Sequence, residues 1–291
     1  MFSIFVLIGC LLDQEEYDNL QDQLRDTSSS IPTDVEDTFD SGQVSEEDRP
    51  ESTHYALFES NGCIEFGGDS SPLSQDSWSF SLRLAPESLA GAIDNTMFQV
   101  GGARMMIKAE LQSLRLLFCP EISEGTVIED LSDVNALCER YDLDKALTFE
   151  SGDRITISYL EDKTLTLFHN NVCISSFNNV INRFDYDGAE TRNLYFGCPT
   201  QGEGNTSFAN YWKGGVDSLI LFSEGLTLSE VEQLYIAEQS NSLVEHLRDS
   251  LQTVAHWNLG EDENGDVIDT FNFRNGSAIH VEFKEYDQVN E

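Results

Sequence analysis

Three pairs of carboxylates stand two residues apart in this 291-residue sequence: Asp142/Asp144, Asp185/Asp187 and Glu261/Glu263. Hydrolysis of a glycosidic bond needs two carboxyl groups flanking it, about 5–5.5 Å apart when configuration is retained. A strand would place residues i and i+2 on one face. The first two pairs lie instead in polar, turn-like stretches, and the third sits beside Asn264-Gly265. All three therefore read as solvated loop charge. The sequence contains no Gly-x-Ser-x-Gly, no phosphate-binding glycine loop and no His-Glu-x-x-His. His54, His169, His246, His256 and His280 are scattered without ligand spacing, so a transition-metal site has no support. An enzyme is not the expectation.

Oxygen-based binding chemistry is better represented. Hard cations take oxygen ligands, and Asp262-Glu263-Asn264-Gly265-Asp266 partly echoes a calcium loop with its glycine one place early. An Asn-Gly hairpin turn explains the same residues more simply. Asp217 follows Gly214-Gly215. Its preferred role is structural, bonding backbone N–H groups at a strand start, with metal ligation as the other reading. No cofactor is expected, and Ca2+ has donors available but no specific motif. The polar, glycine-rich loop Pro199–Asn210 runs into Tyr211-Trp212. A flat aromatic surface beside amide hydrogen bonders suits a sugar, so Gln201, Asn205, Asn210, Tyr211 and Trp212 form the candidate ligand-binding set.

The chain carries 53 Asp+Glu against 16 Lys+Arg, a formal charge of −37. That excludes nucleic acid as a partner, since counterion release needs clustered Lys and Arg, and it disfavours an anionic membrane surface. Hydrophobic content of 40%, with 18 Phe, 9 Tyr and 3 Trp, is too high for global disorder. Met1–Leu12 is an uncharged apolar run, too short to span a bilayer but suited to the apolar region of a secretory signal. Within it, Leu7-Ile8-Gly9-Cys10 resembles the lipobox of bacterial lipoproteins. The resemblance implies a signal peptide over residues 1–9, lipid on Cys10 and a place in the bacterial cell envelope. The only membrane association expected is through that anchor. No Lys or Arg precedes the apolar run, so a start farther upstream, supplying basic residues, is also an expectation. Asp13 to Glu51 then holds 14 acidic and 2 basic residues, a net −12. Such composition cannot offset its ordering entropy, and residues 10–52 are expected to form an acidic disordered tether.

From residue 53 onward the pattern changes to short alternating runs. Trp78–Leu84 and Ile155–Tyr159 alternate apolar and polar residues with period two, as half-buried strands do. Thr164–Leu167 follows across Glu161-Asp162-Lys163, and Asn170-Asn171 separates Leu167–His169 from Val172–Ile174, so two hairpin turns are expected. Further strands are expected at Ala103–Ala109, Ser113–Cys119, Asn193–Phe196 and Val216–Phe222. Two short helices follow, with capping boxes at Ser229/Glu232 and Ser242/Glu245. Many short strands with frequent turns mean an all-β, antiparallel two-sheet sandwich or jelly roll. If Cys10 carries lipid, five cysteines remain, so at least one is unpaired. Cys119 and Cys138 flank an 18-residue acidic loop that a disulfide would restrain. Free buried thiols suit Cys63 and Cys173.

Several of these segments together resemble the LamG-like jelly rolls of the concanavalin A-like lectin/glucanase superfamily. They are Leu194-Tyr-Phe-Gly197, Tyr211-Trp-Lys-Gly-Gly-Val-Asp217 with Ser218–Phe222, and Gly225–Tyr235. Arg154–Tyr159 and Thr164–Val172 look like the family's central hairpin, although its usual Asn-Gly turn is Asn-Asn here. Cys63–Phe66 and Trp78–Leu84 look like its first strand pair. The resemblance covers about residues 55–237 and implies one domain over 53–291, in which 254–291 supplies completing strands. It also implies that the aromatic near position 212 packs in the core. Glucanases of the superfamily carry a Glu-x-Asp-x-x-Glu strand, and none of the strands expected here has that pattern. The implied function is a surface-anchored, non-catalytic binding or adhesion module whose partner is a glycan or extracellular matrix. A structural envelope protein binding another protein and a divergent glycoside hydrolase are the alternatives.

Overall fold

A computed structural model describes residues 54–59, 62–66, 72–85, 95–110, 113–120, 138–143, 149–189, 192–198, 211–249, 252–259, 266–271 and 274–286. The signal peptide, Cys10, the tether, Gln201, Asn205, Asn210, Asp144, Glu261, Glu263 and the Asp262–Gly265 stretch lie outside the described residues.

Sixteen strands follow one another among these residues. They are β1 (His54–Phe58), β2 (Cys63–Phe66), β3 (Trp78–Leu84), β4 (Asn95–Val100), β5 (Ala103–Glu110), β6 (Ser113–Cys119), β7 (Glu139–Leu143) and β8 (Arg154–Tyr159). Then come β9 (Leu165–His169), β10 (Val172–Phe177), β11 (Leu194–Phe196), β12 (Gly214–Phe222), β13 (Thr253–Asn258), β14 (Asp266–Val267), β15 (Gly276–Ile279) and β16 (Glu282–Glu285). Helices α1 (Leu228–Gln239) and α2 (Leu243–Asp249) lie between β12 and β13. No described helix is long and apolar enough to cross a membrane.

The strands form two antiparallel eight-stranded sheets, a jelly-roll sandwich. The first runs β10-β9-β8-β3-β12-β1-β16, with β13 also paired to β12; the second runs β14-β15-β2-β11-β4-β5-β6-β7. The C-terminal segment thus supplies strands to both sheets. Cys63–Phe66 and Trp78–Leu84 are not a strand pair: β2 pairs with β11 and β15, whereas β3 pairs with β8 and β12. Consecutive strands therefore cross between sheets, a route that local alternation does not encode.

Period-two alternation builds the core. Trp78, Phe80, Leu82 and Leu84 of β3 face inward with Ile155 and Ile157 of β8 and Leu219 and Leu221 of β12. From the second sheet come Ile64, Phe66, Phe98, Met105, Ile107, Leu116, Phe118, Leu194 and Phe196. Aromatic pairs join the layers, including Phe66 stacked on Trp257 at 3.9 Å and Phe80 edge-on to Phe98 at 4.4 Å. Hairpin chemistry follows the sequence: Lys163 and Asn170 take positive φ, 65° and 54°, and only Asn170 of the Asn-Asn pair does so.

Helix α1 begins two residues earlier than its sequence signal suggests. The capping box joins Thr227 and Glu230, not Ser229 and Glu232: Thr227 N donates to Glu230 Oε2 at 2.7 Å, and Glu230 N donates to Thr227 Oγ1 at 3.4 Å. From its C-terminal end Glu238 reaches Arg154 on the outer face of the first sheet.

Candidate functional site

The outer face of the second sheet carries a polar rung across its strands. On β2, Ile64 and Phe66 enter the core, so Glu65 points outward; on β11, Leu194 and Phe196 do the same for Tyr195. Register sets Ser277 opposite Glu65, Glu65 opposite Tyr195, Tyr195 opposite Gln99, and Gln99 opposite Arg104. Four side-chain chemistries (hydroxyl, carboxylate, phenol and amide) thus line up before the guanidinium of Arg104.

The accessible part is the Ser277–Glu65–Tyr195 end. Ser277 is exposed and Glu65, Asn193 and Tyr195 are half-buried, while Gln99 and Arg104 are only 3% and 7% exposed. Glu65 Oε1 accepts from Asn193 Nδ2 at 2.6 Å and from the Tyr195 hydroxyl at 3.0 Å. Burial, and next the hydrogen bond to Glu65, push the Tyr195 phenol above its ordinary value, so it stays protonated and donating at neutral pH. Two donors, Tyr195 of β11 and Asn193 just before it, fix the carboxylate in place beside the phenol ring.

The Cys63–Cys198 disulfide closes this region. Its Cα atoms are 5.0 Å apart because antiparallel pairing of β2 with β11 sets Ile64 opposite Phe196. The expected Cys119–Cys138 bond is present, with Cα atoms 4.1 Å apart. Cys173 is also disulfide-bonded. No described cysteine is free, which corrects the reading of Cys63 and Cys173 as buried thiols. Cys63 pairs with Cys198, 135 residues away, a partner supplied by the fold and not by the neighbouring sequence.

The other sequence candidates are dispersed. Trp212 is fully buried against Phe196, 5.3 Å between ring centres, and its indole N–H has no hydrogen-bond partner. It is a core residue, as the family resemblance implied. Tyr211 is half-buried beside it. Asp217 lies under the first sheet's outer covering, where its Oδ2 accepts from the Tyr286 hydroxyl at 3.0 Å and lies 3.5 Å from Arg83. Two cationic or hydrogen-donating side chains around one carboxylate favour a structural role over metal ligation. No group of three or more His, Cys, Asp or Glu able to hold a metal ion occurs among the described residues. Asp142 is exposed on β7 and bonded to Arg115 and Arg140, and Asp185 and Asp187 are exposed.

Glu65, Asn193 and Tyr195 were not singled out by sequence. Alternation around Cys63–Phe66 and Leu194–Phe196 does turn Glu65 and Tyr195 outward. What it cannot show is that residues about 130 positions apart share a rung, because pairing of distant strands is a property of the fold.

No protein-family model matches the sequence, and no curated protein does. Solved structures do resemble the fold. A candidate carbohydrate-binding protein from Bacteroides ovatus aligns with a TM-score of 0.53 and 14% identity, over 81% of this chain and 60% of that one. This chain therefore spans well under two thirds of that protein. A SAP-like pentraxin from Limulus polyphemus aligns at TM-score 0.45 and 13% identity, over 63% of this chain and 82% of that one. The CBM40 module of Ruminococcus gnavus IT-sialidase, bound to α2,3-sialyllactose, aligns at 0.42 and 12%, over 63% and 98%. At 14% identity the likeness to the Bacteroides ovatus protein shows the fold alone: an antiparallel β-sandwich of jelly-roll type.

Proposed function

We propose that this chain is a non-catalytic glycan-binding module of LamG-like type. The observation that carries the reading is the Glu65–Asn193–Tyr195 cluster: a fixed carboxylate, an amide and a phenol ring side by side on a solvent-facing sheet. Sugars present hydroxyls to such acceptors and C–H faces to such rings. Hydrolysis would require a second carboxylate across the bond. The next carboxylate residue in the same rung is Asp266, set opposite Ser277 on β14 and so two strand spacings, about 10 Å, from Glu65, which is wider than the about 5–5.5 Å of a retaining pair. The test is a glycan array read with the wild type and Tyr195→Ala. Wild-type binding that falls about tenfold or more in the variant supports the reading; a wild-type chain blank on every glycan sinks it.

The same module is proposed to be exported and held at the envelope by lipid on Cys10, with residues 10–52 as spacer. Support comes from the lipobox-like residues and the acidic composition that follows them. Cys10→Ser is expected to move the protein from the detergent phase to the aqueous phase. An unmodified Cys10 in the intact mass of the native chain would refute the anchor.

A further inference from the structure

The hydrogen-bond inventory of the cluster selects among glycans. The Tyr195 O–H and one Asn193 N–H are both consumed on Glu65 Oε1. The Asn193 amide also hydrogen-bonds the Tyr195 oxygen, so what remains for a ligand is chiefly Glu65 Oε2 and Asn193 Oδ1. The exposed hydroxyl of Ser277, opposite Glu65 in the rung, can act either way. The cluster is thus rich in acceptors and poor in donors. A ligand that fits it must bring the donors itself.

From this we infer that the site takes a neutral glycan through a hydroxyl pair donated to Glu65 Oε2 and Asn193 Oδ1, and disfavours acidic sugars; this rests on the glycan-binding reading above. One oxygen of the carboxylate is anchored by two internal donors, so its partner oxygen is held in place without ligand-induced ordering. Hydrogen bonds to an ionised acceptor are the stronger kind. A uronate or sialate carboxylate placed here would meet a like charge on Glu65 and the field of a chain at −37. The described cations nearby do not reverse this. Arg104, in the same rung, is 7% exposed, and Arg192, exposed and directly before Asn193, supplies a single charge that Glu65 already balances.

The experiment is calorimetric titration of the full chain with two sets of probes: neutral lactose, maltotriose and xylotriose, and acidic sialyllactose and trigalacturonate. Wild type and Glu65→Gln are compared, with far-ultraviolet circular dichroism and melting temperature as controls for folding. Gln keeps the shape and the internal acceptor but replaces the remaining acceptor with a donor. The expected result is binding of at least one neutral probe, weaker or no binding of the acidic probes, and a loss of tenfold or more in neutral affinity in Glu65→Gln. Preferential binding of the acidic probes, or neutral binding indifferent to Glu65→Gln, overturns the inference and leaves the glycan-binding reading standing. Absence of any heat with both sets, together with a blank array, overturns the glycan-binding reading itself.

Discussion

Arg154 is 1% exposed, yet none of its charge is stranded. Its Nε and Nη2 grip Glu238 at 2.7 and 2.6 Å, and Ser81 and Ser218 accept at 3.1 and 3.3 Å. Burial pushes the Glu238 carboxyl up, but Arg154 and Arg83 outweigh it and hold the group below its ordinary value. Two neighbours in this network titrate in opposite senses. Burial raises Asp217 to about 6, against the pull of Arg83 and Arg154, and burial with Arg154 lowers His256 to about 4. Between their ordinary and folded values the native chain holds the Asp217 proton more tightly than the unfolded chain does, so that residue's contribution falls as pH rises from about 4 to 6. His256 does the reverse: the unfolded chain takes up its proton first, and stability is lost as pH falls from about 6.5 to 4. Each effect is on the order of 3 kcal/mol, and the two largely cancel. Asp217→Asn should therefore unmask His256. Urea unfolding at pH 4, 5, 6 and 7 is expected to show the variant gaining on wild type with rising pH, and a difference constant across that range would refute the assignment. None of this was legible in the sequence, where Arg154 and His256 read as ordinary strand residues and Asp217 as a family position. The burial that shifts them comes from α1 and Tyr286, which reach the sheet from far along the chain.

At the scale of elements the sequence was far more informative, wherever one face of a strand meets the core and the other does not. Strands β3, β6 and β9 fall where alternation places them, and the Asn170 turn adopts the positive φ its residue type suits. Strand β4 escapes that test because a register shift between Thr96 and Phe98 puts the adjacent Met97 and Phe98 both in the core, breaking the period-two beat. Strand β7 lies at a sheet edge, where Arg140 and Asp142 face solvent and only Tyr141 and Leu143 pack inward. Helix α1 was found but shifted, because Thr227 and Ser229 both precede a glutamate by three residues and only packing of Val231, Leu234 and Ala237 decides between them. The element that bears most directly on the site is β15. A Cβ on Gly276 would lie 2.8 Å from Phe66 Cδ1 and 2.9 Å from the Glu65 carbonyl oxygen, so β15 can approach β2 this closely only with glycine there. Gly276→Ala is expected to cost about 1–3 kcal/mol and to weaken glycan binding by displacing the strand that flanks Glu65. Chemical denaturation and titration measure the two losses. An unchanged midpoint would mean that β15 and β2 do not pack in this register.

The charge of the whole molecule is unevenly shared along it. The chain divides into Met1–Glu51 and Ser52–Glu291, and the 14 acidic and 2 basic residues of the first part leave about −25 of the −37 on the second. A compact body with that excess repels itself, and the repulsion is screened over about 10 Å at 0.1 M salt. Raising NaCl from 10 to 300 mM should therefore stabilise the folded part. Each 1 kcal/mol gained would appear as about 2–4 °C in Tm. Because the larger share of charge lies in Ser52–Glu291, the full chain and a chain beginning at Ser52 are expected to shift by similar amounts. A shift confined to the full chain would place the repulsion in the N-terminal part instead. The same field separates the modes of ligand recognition. A neutral glycan held by Glu65 and Asn193 displaces no counterions, so its Kd should stay constant across this salt range while Tm climbs. A cationic ligand drawn by the acidic surface would weaken with salt, and an anionic one would tighten. Titration of one neutral probe at three salt concentrations, beside melting curves at the same three, tells local hydrogen bonding from global charge: a Kd that follows salt would mean that the surface field, and not the rung on the second sheet, selects the ligand.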